Sequence, residues 1–391
     1  MNDSILNITP ENKISPVKMS QIKIDNEVFF KISNVDQMRP FFMSVVSDSN
    51  HWMFISSNGA LSAGRKNSEF ALFPYYTDDK ITESAEITGS KTIIKILKNE
   101  RILIWEPFSI RNQVNNIKRN LYKSIYGNSI IFEEINEDLG LIFKYKWSNS
   151  NLYGFVRETE LKNISDADTN LSICDGLQNI LPAGVGSDLQ NSTSNLVDAY
   201  KRSELESASK IGIYALSATI VDKAEPNESL NANITWSLGF KNPKILLSAL
   251  QLQNFRENKE ILQEVDSKGE KGAYFIVTDF KLSANKSKNW EIIANINQNI
   301  SNIVNLSSEI KNEENFIKKI TSDIHLGTKN LLKLINSADG IQHTADLRDD
   351  ARYYSNTLFN IMRGGIFDDQ YNIEKQDFLN SLQKRNSKIY Q

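Results

Sequence analysis

"SIIFEEINEDLGLIFKYKW", residues 129–147, decides the fold. Two β-prone runs flank "NEDLG", where Gly140 is free to take a positive φ, so the stretch reads as a β-hairpin. Its second arm alternates Phe143, Tyr145 and Trp147 with Ile142, Lys144 and Lys146. That period of two predicts an antiparallel sheet with one wet and one buried face.

The same texture extends in both directions. "VFFKI" (28–32), "WMFIS" (52–56), "TIIKILKNERILIWEP" (92–107, with a turn near Asn99) and "LYGFVRETEL" (152–161) read as strands. So do "IGIYALSATIVD" (211–222), "NITWSLGF" (233–240), "AYFIVTDFKL" (273–282) and "WEIIANI" (290–296). Short β-rich runs separated by Asn, Asp, Gly and Ser predict an all-β sandwich from Gln21 to about residue 297. After Gln298 the period lengthens: "SNIVNLSSEIKNEENFIKKITSDI" (301–324) and "TKNLLKLINSADG" (328–340) carry helical spacing. In "DLRDDARYYSNTLFNIMRGG" (346–365), Leu347, Tyr354, Leu358, Ile361 and Met362 share a face before Gly364-Gly365 ends the helix. "NIEKQDFLNSLQKRNS" (372–387) reads as a last amphipathic helix. The expected division is a flexible lead-in at 1–20, a β domain at 21–297, a helical linker at 298–340 and the start of a helical domain at 341–391.

The 391 residues carry 45 Lys and Arg against 48 Asp and Glu, a formal net charge of −3. No basic field is available for a phosphate backbone, so nucleic acid is not an expected partner, and neither is a membrane. "MNDSILNITPENKISPVKM" lacks the basic and apolar regions of a secretory signal. The single cysteine, Cys174, forms no internal disulfide and fits a reducing compartment; a cytoplasmic location is the expectation. His51, His325 and His343 have no metal-like spacing. No phosphate-binding or dinucleotide glycine motif occurs, so neither a metal nor a cofactor is expected.

Two stretches depart from the strand rhythm. In "HWMFISSNGALSAGRKNSEFALFPYYTDDKI" (51–81), Trp52 and Phe54 alternate with Met53 and Ile55, Asn58-Gly59 supplies a turn, and Gly64 breaks the next run. Pro74 imposes extended backbone and brings Tyr75, Tyr76, Asp78 and Asp79 together on a rim or loop, with Arg65 nearby in sequence. Aromatic faces beside carboxylates suit sugar rings; the competing reading makes the rings core and the acids a solvated turn. In "ICDGLQNILPAGVGSDLQNSTSNLVDAYKRSEL" (173–205), Asp175-Gly176 reads as a turn within a long loop, followed by a short helix from Ser194. Asp175, Gln178, Asn179 and Asn191 could hydrogen-bond a ligand or a neighbouring domain, or the excursion is structural.

Asp222, Glu225 and Glu228 near Pro226, and Asp368-Asp369, are candidate acid–base pairs, yet any given pair among 48 acids has little claim to catalysis. No nucleophile-elbow pentapeptide occurs. Cys174 reads as a small buried hydrophobe at a strand end.

Taken together, "WMFISSNGALSAGRKNSEFALFPYYTDDKI" (52–81), "DGLQNILPAGV" (175–185), "SNLVDAYKRSEL" (194–205), "VDKAEPNESLNANITWS" (221–237) and "YSNTLFNIMRGGIFDDQYNIEKQDF" (354–378) resemble the N-terminal part of cellobiose-phosphorylase-like proteins of glycoside hydrolase family ninety-four. The resemblance spans nearly the whole chain. It implies an N-terminal β-supersandwich, a helical linker and the start of an (α/α)6-type helical barrel. It also implies an enzyme in which inorganic phosphate, as co-substrate, attacks a glycosidic carbon while an aspartic acid in the barrel protonates the leaving sugar.

Since the chain reaches only the first part of such a barrel, no catalytic residue is carried over, and the expectation is a chain inactive on its own. The candidates for substrate binding or the active-site rim are Trp52, Arg65, Tyr75, Tyr76, Asp78, Asp79, Asp175 and Gln178. The implied partners are an oligosaccharide or β-glucoside, the protein's own helical barrel and a second copy in a homodimer. A stand-alone carbohydrate-binding sandwich and a structural or interaction module are the alternatives.

Overall fold

The structure is a computed structural model that describes residues 16–25, 27–76, 78–98, 101–112, 116–218, 230–365, 369 and 372–390; the side chains of 78, 79, 191–195, 387 and 390 lie outside that description. The decisive hairpin is β10 (Ser129–Asn136) and β11 (Leu141–Ser150), antiparallel with Phe132 opposite Tyr145 and Ile135 opposite Ile142. Gly140 has φ of +66° at the turn. Phe143, Tyr145 and Trp147 are buried, while Ile142, Lys144 and Lys146 are half-buried on the other face.

The protein is mainly β, built from antiparallel sheets with helices toward the C-terminus and no closed barrel among the described residues. The first sheet has 11 strands. Its order is β1 (Lys18–Ile24), β2 (Glu27–Ser33), β9 (Ile117–Ser124), β10, β11, β12 (Gly154–Asn163), β20 (Ser287–Gln298), β16 (Ala232–Leu238), β15 (Ile211–Leu216), β14 (Lys201–Glu206) and β18 (Asp266–Lys268). The second sheet runs β17 (Lys244–Leu246), β19 (Gly272–Leu282), β13 (Thr169–Ile180), β7 (Gly89–Lys98) and β8 (Arg101–Trp105). The third is β3 (Phe42–Val45), β4 (His51–Ser56), β5 (Leu61–Arg65) and β6 (Ala71–Phe73). One large apolar core joins all three through residues such as Met53, Ile94, Trp105, Phe143, Ile173 and Trp290.

Short helices α1 (Asp78–Glu83), α2 (Ser187–Tyr200) and α3 (Leu252–Arg256) fill in between strands. β20 ends at Gln298, and α4 (Ile300–Ile310) and α5 (Glu313–Asp339) follow, with Asn299 and Asn312 accepting hydrogen bonds at their N-termini. Ile303, Leu306, Phe316 and Ile320 from these helices cover the outer face of the first sheet against Val156, Trp236 and Ile293. α6 (Leu347–Met362), α7 (Lys375–Arg385) and α8 (Ser387–Tyr390) complete the chain. No helix among the described residues is long and apolar enough to cross a membrane.

Several local expectations are corrected. Asp175-Gly176 is not a turn but the middle of β13, a strand paired on both sides. Glycine stands there because a Cβ would come within 2.0 Å of the Tyr274 carbonyl oxygen. The helix expected from Ser194 starts at Ser187. Cys174, buried as expected, lies inside β13 rather than at its end. Gly64 continues β5 instead of breaking it. β1 begins at Lys18, within the stretch read as lead-in. Met362 is 72% exposed, whereas Tyr354 and Leu358 on the same helix are buried. Asn99, the 222–228 acids and Asp368 lie outside the described residues, and Asp369 is exposed.

Candidate functional site

Alternation along β4 splits its residues between two faces. His51, Met53 and Ile55 turn inward, while Trp52 and Phe54 stay half-buried on the outer face of the third sheet. Gly64 lies opposite Trp52, and a Cβ there would come within 2.3 Å of the indole ring. The glycine thus provides the space in which Trp52 lies across its neighbouring strand, its Nε1 donating to the Asn67 carbonyl at 3.1 Å. The rings form a continuous row: Phe42 to Phe54 at 5.4 Å, Phe54 to Trp52 at 6.0 Å, and Trp52 edge-on to Tyr75 at 5.4 Å. Phe42 and Tyr75 at the two ends are 43% and 42% exposed.

Pro74 fixes the backbone ahead of Tyr75, and its carbonyl accepts from Ser62 Oγ at 2.6 Å. Tyr76 is half-buried, and burial raises its phenol above the usual range. Neither tyrosine belongs to the sandwich core. Asp78 and Asp79 begin α1, but their side chains fall outside the described residues.

Arg65, at the end of β5, ties this sheet to the rest of the molecule. Its Nε donates to Asn50 Oδ1 at 2.7 Å, Nη1 to the Asn151 carbonyl at 3.1 Å and to Asn295 Oδ1 at 3.4 Å, and Nη2 to Asn151 Oδ1 at 3.1 Å. Burial lowers the Arg65 pKa against the opposing pull of Asp323 on α5. Asp323 in turn accepts from Ser150 Oγ at 2.5 Å and the Leu152 N–H at 3.1 Å. His51, opposite Arg65 in the ladder, has its pKa pulled down to about 3 by burial and then by Arg65, so its imidazole is neutral.

Asp175 and Gln178 are elsewhere. Asp175 is sealed between the first two sheets, where it accepts from both Arg157 terminal nitrogens, from Thr92 Oγ1 at 2.6 Å and from Trp290 Nε1 at 2.6 Å. Gln178 is buried and donates to the Glu86 carbonyl at 2.8 Å. The structure therefore brings Trp52, Tyr75 and, on the adjacent strand, Arg65 into one region and keeps Asp175 and Gln178 apart from it.

Buried charge escaped the sequence reading. Glu106 holds Arg256 at 2.6 Å and Lys91 at 3.0 Å, and Lys91 also holds Glu86 at 2.6 Å. Burial alone would raise the Glu106 carboxyl; Arg256 and Lys91 outweigh it and hold it below the ordinary range. Glu134 accepts from Trp105 Nε1 at 2.7 Å, the Phe108 N–H at 2.6 Å and Arg119 Nε at 2.7 Å. The signal was present as charges set against apolar runs, Arg157 in "GFVRE" and Glu134 in "IIFEE". Carboxylates pinned to cations in this way hold the sheets together and are poorly placed to donate protons.

These features define an antiparallel β-sandwich with C-terminal helices and an aromatic row on one outer face. No protein-family model matches the sequence, and no curated protein matches it. Among solved structures, the chain is similar to a bacterial glucoamylase complexed with acarbose, at 8% identity and a TM-score of 0.47 over 88% of this chain and 44% of that one. It is also similar to a protein described as a kojibiose phosphorylase from the human microbiome, at 13% identity and a TM-score of 0.37 over 68% of this chain and 30% of that one. A galactose mutarotase-like protein from Clostridium acetobutylicum matches at 10% identity and a TM-score of 0.35, over 73% of this chain and 99% of that one. The chain spans less than half the length of the glucoamylase and of the phosphorylase.

Proposed function

We propose that the chain is the sandwich-and-linker part of a carbohydrate-active enzyme that works at glycosidic bonds in the manner of cellobiose-phosphorylase-like proteins, and that its aromatic row holds an oligosaccharide or β-glucoside. The observation that carries the reading is the row Phe42–Phe54–Trp52–Tyr75, exposed at both ends and given its room by Gly64. Sugar C–H faces stack on such rings, and the Asn67 side chain and the Tyr75 hydroxyl offer hydrogen bonds at the margin. In this reading the general acid and the inorganic phosphate belong to a helical barrel, with a cytoplasmic location. No catalytic role is assigned to the sandwich.

The test is calorimetric titration of the full chain with cellotetraose, paired with an assay for phosphate-dependent release of a sugar phosphate. Binding that weakens about threefold to tenfold in Tyr75→Ala, the scale of one lost ring contact, with no turnover, supports the proposal. Absence of binding, or binding by Tyr75→Ala and Trp52→Ala as tight as the parent's, overturns the site. Turnover by the chain itself overturns the assignment of the chemistry to a barrel.

A further inference from the structure

A groove of about 230 Å³ runs between α4 and the outer face of the first sheet, where β16 and β20 meet the turn after β11. Two aromatic residues help to line it. Tyr153 is braced edge-on against Phe316 at 5.1 Å, and Trp236 stacks on Phe316 at 6.5 Å with the ring planes inclined by 28°. Trp236 is 1% exposed, and its indole N–H has no hydrogen-bond partner among the described residues. A buried donor left unmatched is costly, so this one points to an acceptor from outside the chain.

The remaining polar wall is made of amides. Asn295 and Gln298 come from the sheet side, and Asn302 and Asn305 from α4. Gln298 Nε2 donates to the Ile296 carbonyl at 2.7 Å and Asn302 Nδ2 to Gln298 Oε1 at 3.2 Å, which orients both side chains. Glu309 also lines the groove, and Lys319 neutralises it at 2.7 Å. The lining therefore offers donors and acceptors together and no surplus cation. A hydroxyl is itself donor and acceptor and matches an amide in either sense, whereas an anion would lack a counter-charge here. The volume falls just below the roughly 300–1,000 Å³ of ordinary ligand pockets, which suits one ring better than a chain of rings.

We propose that this groove binds a single neutral pyranose, with the Trp236 indole N–H and the Asn302 and Asn305 amides taking its hydroxyls. The site is separate from the aromatic row on the third sheet and does not depend on it. Arg65 on the third sheet reaches the edge of the groove through Asn295, whose Oδ1 accepts from its guanidinium.

Saturation-transfer NMR on the full chain tests it, with methyl β-glucopyranoside and methyl β-galactopyranoside as neutral probes and methyl β-glucuronide as the charged comparator. The expected result is binding of at least one neutral glycoside, accompanied by a shift of the Trp236 indole N–H resonance. Asn302→Ala with Asn305→Ala should weaken that binding at least about fivefold, the scale of one or two lost hydrogen bonds. Both asparagines are exposed on α4, so melting temperature should be preserved in this variant. Trp236→Phe, which keeps the ring and removes the donor, should weaken binding as well, and Tyr75→Ala should leave it unchanged. The proposal is overturned if neither neutral glycoside binds, if the double variant binds as tightly as the parent, if the glucuronide binds more tightly, or if Tyr75→Ala alone abolishes binding.

Discussion

Arg157 on β12 and Asp175 on β13 form a two-pronged ion pair, Nη1 to Oδ2 at 3.0 Å and Nη2 to Oδ1 at 2.9 Å, with both side chains wholly shut off from solvent. The pair bolts the 11-stranded sheet to the five-stranded one, and the Arg157 guanidinium also lies 4.9 Å from the centre of the Tyr145 ring. Removing one partner strands the other charge in the core, which costs about 3–5 kcal/mol. Asp175→Ala and Arg157→Met should each lose stability on that scale in urea unfolding. The double variant should lose clearly less than the sum, because residues in contact are coupled. Losses that simply add would show that the two side chains act independently.

Gly64→Ala should be damaging although alanine is the smallest possible change. The new methyl would meet the Phe70 carbonyl oxygen and the Trp52 ring at 2.3 Å each, so the indole must leave its seat. Overpacking of this kind costs about 1–3 kcal/mol. The expected readouts are a lower melting temperature and a shifted tryptophan emission. An unchanged spectrum would mean that Trp52 does not rest on this strand.

Glu291 predicts a pH dependence. Burial, then Glu158 and Glu313, push its carboxyl up from 4.5 to about 8. Glu158 lies directly opposite it in the ladder and is paired with Lys146 at 3.3 Å, while Glu313 accepts from the Gly239 N–H. In the folded chain Glu291 keeps its proton, whereas the unfolded chain releases it above about 4.5. The unfolded state therefore binds fewer protons between pH 4.5 and 8, and stability falls as pH rises through that window. Glu291→Gln should remove this slope, with the gain over the parent growing up to about pH 8 and levelling beyond it. Parallel stability curves for the two proteins between pH 5 and 8 would count against the assignment.

What the sequence disclosed was local. The hairpin through Gly140 and the change of period after Gln298 are visible because a few adjacent residues determine each. Asp175-Gly176 misled because the pair has the composition of a turn, whereas its placement answers to partners far along the chain: Arg157, Trp290 and the Tyr274 carbonyl. The aromatic row was half legible: Trp52 and Tyr75 were evident, but Phe42 joins them only through sheet pairing. Arg65 meets Asn295 across 230 positions, and the groove beside Trp236 is assembled from two strands, a turn and a helix. No window of neighbouring residues contains such a site.

The helix α5 is fastened at both ends. With 27 residues it is about 40 Å long. Phe316 and Ile320 near its start lie in the apolar cluster around Trp236, and Leu331 and Ile335 near its end lie in the cluster formed with Ile125, Tyr354 and Leu358. Between them Thr328 accepts from Asn128 at 2.8 Å, Asn330 donates to Asp48 at 2.9 Å, and Gly327 presses close to the same aspartate. Mechanically this is a spar clamped along its length, without a hinge at its glycine. A torque on α6 must either tear one of the two clamps or be carried whole, as a rigid rotation, into the sheet face that bears Trp236.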